Sequence, residues 1–139
     1  MSQYFELDGE TLWNPSNGAA RLFLAQVRVY EEEVGVPSGF GPMENDECQV
    51  DPAALAPFAD ALIALHDRTR HAVVDALSEG FVATVLVLAE RAGIEVRRPV
   101  VADGGLEGLR DVQVPLSDAE DRAVRLRERT GLLGRRMPR

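Results

Sequence analysis

The sequence predicts an α+β fold: a single compact domain with an N-terminal β-hairpin, three to four helices around a buried apolar helix, a short strand pair near 94–116 and a C-terminal amphipathic helix. Three observations carry this expectation. Segments with a two-residue apolar period and segments with a period near 3.6 follow one another in mixed order, not as repeating strand–helix units. The run FVATVLVLA, Phe81 to Ala89, is apolar almost all round, as an element buried on every side must be. A chain of 139 residues, 45% hydrophobic and 27% charged, is long enough to bury one core without disulfide or metal staples.

The elements follow in order. QYFEL and ETLW flank Asp8-Gly9, a hairpin signal, which predicts strands near 3–7 and 10–13. Asn14-Pro15-Ser16 ends the second strand. Ser16 or Asn17 then caps a helix whose apolar positions Ala20, Phe23, Val27, Tyr30 and Val34 keep helical spacing, with Gly35 as its stop. Glycine and proline crowd Val36 to Glu47, which predicts an irregular loop, followed by a short strand at Cys48 to Val50. Asp51 before Pro52 reads as an N-cap with a first-turn proline, and Leu55, Phe58, Leu62 and Leu65 share a helical face to about Arg70. Pro57 opposes a helix through that point and moves the expected start toward itself.

A third helical region covers about Ala72 to Ala92 and ends at Gly93, with Gly80 as a candidate break and FVATVLVLA as the buried central helix. IEVRRPVV and DVQVPL read as strands around the turn DGGLEG. Ser117, Asp118, Ala119 and Glu120 form a capping-box pattern opening a charged helix to Thr130, with Gly131 as its stop. The globular domain is thus expected over 1–131, and 132–139 as a short basic C-terminal tail.

Charge is distributed unevenly. The net charge is -8; up to Arg70 twelve Asp and Glu face four Arg, whereas from His71 onward eleven face eleven. A negative field repels phosphate backbones, which argues against nucleic-acid binding except through the tail RLRERTGLLGRRMPR. All fifteen basic residues are arginine, so no lysine exists for a Schiff base or a P-loop. MSQYFELDGE lacks the basic start and apolar run of a secretory signal, and FVATVLVLA is too short to span a bilayer, so a cytoplasmic location away from membranes is expected. One cysteine allows no intrachain disulfide, in keeping with a reducing compartment.

Catalytic templates fit poorly. GVPSGFG is not a G-x-S-x-G elbow, and GGLEG lies between strands and not before a phosphate-facing helix. A metal site would draw on Cys48, His66, His71 and the carboxylates Glu44, Asp46 and Glu47. A closed zinc site shows more Cys and His at short spacing, and two histidines five apart converge only if the helix ends between them, which DRTR permits, so no metal or other cofactor is expected. The carboxylates beside Cys48 disfavour a thiolate, and a small inward-pointing hydrophobe is the better reading of that residue. Asp67 and His71, four apart, form an ordinary helix-surface pair or an oriented imidazole. Glu31, Glu32 and Glu33 crowd the last turn of the first helix, where the macrodipole disfavours anions by about 0.3 to 1 kcal/mol each. They are a solvated surface, or an acidic contact surface joined by Glu44, Asp46 and Glu47. Trp13, at the end of the hairpin, is a core plug or an exposed anchor beside that acidic surface.

LWNPSN, VGVPSGFGPMENDEC and EGFVATVLVLAERAG resemble the marker segments of a family of small actinobacterial proteins of unknown function, over most of the chain up to about Val96. The resemblance implies a bacterial cytoplasmic protein and brings no catalytic residues. The function expected from the residues is therefore a non-catalytic protein-interaction domain, immunity-like, antitoxin-like or regulatory, with a basic protein partner. The rival is a small enzyme or ligand-binding protein with a pocket near Cys48, His66 and His71. Homo-oligomerisation, with the basic tail of one copy on the acidic half of another, is a third expectation.

Overall fold

Caps and tight turns written into the chain set most element boundaries. The computed structural model describes residues 2–69, 71–96 and 119–139. Strands β1 (Tyr4–Leu7) and β2 (Glu10–Trp13) are joined by Asp8 and Gly9, with φ of 49° and 84°. Positive φ at both central residues is the geometry of a two-residue hairpin loop that matches strand twist. Helix α1 (Asn17–Val34) starts where the Ser16 side chain accepts the Ala19 N–H, and ends at left-handed Gly35, whose N–H reaches the Glu31 carbonyl. Strands β3 (Phe40–Glu44) and β4 (Glu47–Val50) come next, then α2 (Pro52–Arg68), α3 (Ala72–Arg91) and α4 (Ala119–Arg136).

The four strands form one mixed sheet in the order β2-β1-β4-β3; β1 and β4 run parallel and the other two pairs antiparallel. Helices cover its inner face. Phe5 stacks on Trp13 at 5.1 Å and meets Phe23 edge-on at 5.6 Å, while Phe81 of α3 closes the cluster against Phe23 and stacks on Tyr30 at 4.3 Å. Behind the aromatics, Leu55, Phe58 and Leu62 of α2 pack with Val82, Val85 and Leu88 of α3 and with Leu126 of α4. The result is a single α+β domain built around the buried apolar helix α3. By length and composition α3 could cross a bilayer, yet half of its apolar window is packed inside the protein, as in a core helix.

Four local expectations are corrected. The stretch from Val36 to Glu47 is not all loop, because β3 occupies Phe40–Glu44. Gly41 and Pro42 together oppose Gln49, so the proline sits in a bulge of an edge strand, where its missing N–H costs least. Helix α2 starts at Pro52 and runs through Pro57. The Asp51 cap and the complete burial of Leu55 outweigh the one lost hydrogen bond, and Pro57 lies on the exposed side. Gly80 does not break α3; it lies on the exposed side, and its carbonyl accepts the Thr84 hydroxyl. Helix α4 passes through Gly131 and reaches Arg136, because Arg91, at the end of α3, donates to the carbonyls of Gly134 and Met137 at 2.8 Å each. Residues 132–136 are therefore helical. The strand pair expected near 94–116 and the Ser117 capping box fall mainly on residues outside those described, and Ile94, Glu95 and Val96 belong to no strand.

Candidate functional site: an acidic sheet face over a sealed core

The β3–β4 turn organises the acidic surface. Asn45 and Asp46 take φ of 52° and 64°, a two-residue loop of the same kind as Asp8-Gly9, and this places Glu44 directly opposite Glu47. The register of β1 with β4 pairs Tyr4 with Glu47 and Glu6 with Gln49, so Tyr4, Glu47 and Glu44 form one row across three strands and Glu6 lies in the next. These residues alternate with Phe5 and Cys48, which point into the core, so the row faces away from the helices. Glu44, Asp46, Glu47 and Tyr4 are exposed, and Glu6 is half-buried beneath a hydrogen bond from the Thr11 hydroxyl. Among the described residues no arginine pairs with any of these carboxylates; Asp46 receives only the Gln3 side-chain amide, at 3.4 Å.

The glutamates of α1 divide into two kinds. Glu31 is half-buried and its carboxylate accepts the Ser38 N–H at 2.9 Å, so it holds the segment leading into β3 and offsets part of its unfavourable position at the helix end. Glu32 and Glu33 are exposed. Burial, followed by the charge of Glu33, pushes the Tyr30 hydroxyl pKa up. Glu31 also lines a cleft of about 350 Å³ between α1 and β3, with Leu24, Val27, Phe40 and Met43. Trp13, 8% exposed and stacked on Phe5, is a core residue and is not available as an exposed anchor.

Cys48, His66 and His71 occupy three different settings. Cys48 is fully buried on the inner face of β4, where its thiol donates to the Gly41 carbonyl at 3.3 Å and burial pushes its pKa up to about 11. We expect the native thiol to ignore an aromatic disulfide reagent at pH 8 and to react fully once the chain is unfolded in urea, as read by thiolate release. Because the folded pKa lies above the unfolded value of 9.0, its contribution to stability is intact below pH 9 and declines as pH rises toward 11. His66, 1% exposed on α2, faces Asp75 of α3 with Nδ1 3.4 Å from Oδ1. His71 caps α3: its Nδ1 accepts the Val74 N–H at 3.3 Å, which leaves the ring proton on Nε2. Asp67 lies in the last turn of α2 and His71 at the N-cap of α3, so the two do not share one helix. Among the described residues, three surface clefts of about 350, 520 and 390 Å³ are lined by side chains other than Cys48, His66 and His71.

A charged seam between α3 and α4 is absent from the expected site residues. Asp75 contacts Arg125 at 3.6 Å, Glu79 contacts Arg125 at 3.9 Å and Arg129 at 3.7 Å, and Arg122, 2% exposed, donates to the Thr69 carbonyl. Its signal was the spacing: Arg122, Arg125 and Arg129 share one face of α4, and Asp75 and Glu79 one face of α3. The ion pairs join α3 to α4 and Arg122 reaches the end of α2, so the seam ties three helices together, and Glu79, Arg125 and Arg129 also line a surface cleft. Among the described residues, no group of three or more His, Cys, Asp or Glu side chains converges as a metal site would require.

A family model matches this chain over residues 1–139, with the description "Family of unknown function (DUF6086)". No curated protein and no solved structure matches it.

Proposed function

Since the chain belongs to the DUF6086 family, whose function is unknown, its own surface has to supply the reading, and we propose a non-catalytic protein-interaction domain whose acidic outer sheet face receives a basic protein surface. One observation carries this. Glu44 and Glu47 sit directly opposite one another on an exposed face, with Glu6 in the adjoining row and no arginine pairing with them among the described residues. Like charges at directly opposed sheet positions cost roughly 0.2 to 1 kcal/mol, so the arrangement favours an incoming cationic surface over the stability of the free domain. An immunity-like, antitoxin-like or regulatory role in the cytoplasm of a bacterium fits a domain of this kind. The competing pocket reading has Cys48 under the sheet and His66 behind the helix seam to contend with.

The cost predicts its own relief. Glu47→Thr, which keeps a strand-favouring side chain, raises the urea midpoint of the isolated domain by an amount equivalent to about 0.5 kcal/mol, whereas Glu90→Thr on α3 gives no such gain. Binding is tested by cross-linked capture from the native cell at low salt, comparing wild type with the Glu44→Arg/Glu47→Arg double variant and a Glu90→Arg control. A basic protein retained by wild type and the control but lost by the double variant supports the reading. Identical capture by all three refutes it.

A further inference from the structure

The acidic face has a counterpart within the same chain. Through residue 50 there are nine Asp and Glu and two Arg, whereas residues 119–139 carry seven Arg and three Asp or Glu. On α4, Arg122, Arg125 and Arg129 are spent on the seam. Arg135 and Arg136 in the last turn are exposed, and neither takes part in an ion pair among the described residues. At a helix C-terminus their charge is also favoured by the macrodipole, so the basic end is held in place by the helix that presents it.

The fold keeps the two surfaces apart. Arg91 ties the end of α4 to Leu12 of β2, and the Asn14 N–H donates to the Pro138 carbonyl, which places the basic end beside the β2 edge of the sheet. Glu44 and Glu47 lie on β3 and β4, two to three strand spacings away, roughly 10 to 14 Å, and on the face turned away from the helices. That separation exceeds a Debye length of about 8 Å at physiological salt. Among the described residues, one molecule therefore presents an acidic face and a basic helix end that no ion pair neutralises and that its fold holds apart.

We infer that the occupant of the acidic sheet face is a second copy of this chain, seated through the Arg135–Arg136 end of its α4. The inference rests on the proposed binding role of that face and names its partner. Such a contact is head-to-tail, so it extends from copy to copy unless the rotation closes a ring. The net charge of -8 repels copies at long range, and this repulsion is screened near 0.1 M salt while the contact pairs are not. Association is thus expected at about 0.1 M salt and lost near 1 M.

The test is analytical ultracentrifugation of the full chain over a concentration series at both salts. Glu44→Arg/Glu47→Arg and, separately, Arg135→Glu/Arg136→Glu each weaken association by at least about tenfold, and an equimolar mixture of the two variants restores it, since each supplies the surface the other has reversed. Rescue in the mixture also shows that both variants are folded. A chain that stays monomeric at 0.1 M salt, association indifferent to both reversals, or association that persists at 1 M overturns the inference. A monomeric chain whose acidic face still captures a basic protein from the cell would leave the interaction role standing with a different partner; failure of both experiments removes the two together.

Discussion

Gly39→Ala is expected to lower the midpoint of thermal unfolding by roughly 10 °C or more, equivalent to about 3 kcal/mol at this chain length. Gly39 has φ of 83°, and a Cβ there would lie 2.4 Å from the Asp51 carbonyl oxygen and 3.0 Å from the Leu55 nitrogen. Both are backbone atoms of the α2 N-terminus, so neither can swing aside as the tip of a side chain could. The Gly39 carbonyl also accepts the Asp51 N–H at 2.8 Å. A substitution therefore pushes apart the entry to β3 and the capped start of α2. Left-handed backbone alone costs an alanine about 1 to 2 kcal/mol, and relieving an overpacked contact adds a further 1 to 3 kcal/mol. Gly35 is the internal control: its φ of 72° is equally left-handed, but nothing lies within 4 Å of its Cβ position. Gly35→Ala should lower the midpoint by only about 4 °C. Equal losses at the two positions would show that backbone strain, and not the packing of β3 against α2, sets the cost.

The comparison of these glycines shows what could be read from the sequence. Gly35 was legible because a helix stop is a local event: the apolar spacing of α1 ends and a left-handed residue follows. Asp8-Gly9, the Asp51-Pro52 start and the buried run in α3 were legible for the same reason, since each depends on neighbours within a turn or two. Gly39 was visible only as one glycine among several, because its constraint comes from Asp51 and Leu55, which reach it through the tertiary fold. Strand β3 was hidden by Pro42, which argues against a strand until a bulge absorbs it, and by an Asn-Asp turn less distinctive than the Asp-Gly of the first hairpin. The carboxylates of the candidate site could be named from sequence. Their arrangement could not, because the opposition of Glu44 and Glu47 follows from a two-residue turn, and the row with Tyr4 follows from a parallel pairing between strands that forty residues separate. Sequence alone groups His66 with Cys48 and His71 and not with Asp75, because Asp75 belongs to another helix and meets it only in the tertiary fold.

Arg91 provides the second large effect, and it is a test of geometry more than of charge. Its Nη1 donates to the Leu12 carbonyl at 2.7 Å and its Nη2 to the carbonyls of Gly134 and Met137 at 2.8 Å, so one guanidinium joins β2, α3 and the end of α4. Burial, and after it the nearby Arg139, lowers its pKa from the ordinary arginine value without threatening its charge. Arg91→Leu removes three charge-assisted bonds and leaves carbonyls at a helix end without their donor, at a cost of about 3 kcal/mol once partial exposure is allowed for. The loss should be concentrated where α4 outruns Gly131: the amides of Met137 and Asn14, which donate to the Leu133 and Pro138 carbonyls, are expected to exchange with deuterium on the order of a hundredfold faster, while amides in the middle of α3 slow or quicken only with global stability. Arg91→Lys discriminates between explanations. An ammonium keeps the charge but lacks the planar fork that spans carbonyls on two elements, so lysine should recover less than half of the lost stability and leave the end of α4 frayed. Full recovery by lysine would mean that a point charge against the α4 terminus suffices, and the extension of α4 to Arg136 would then need a cause other than this fork.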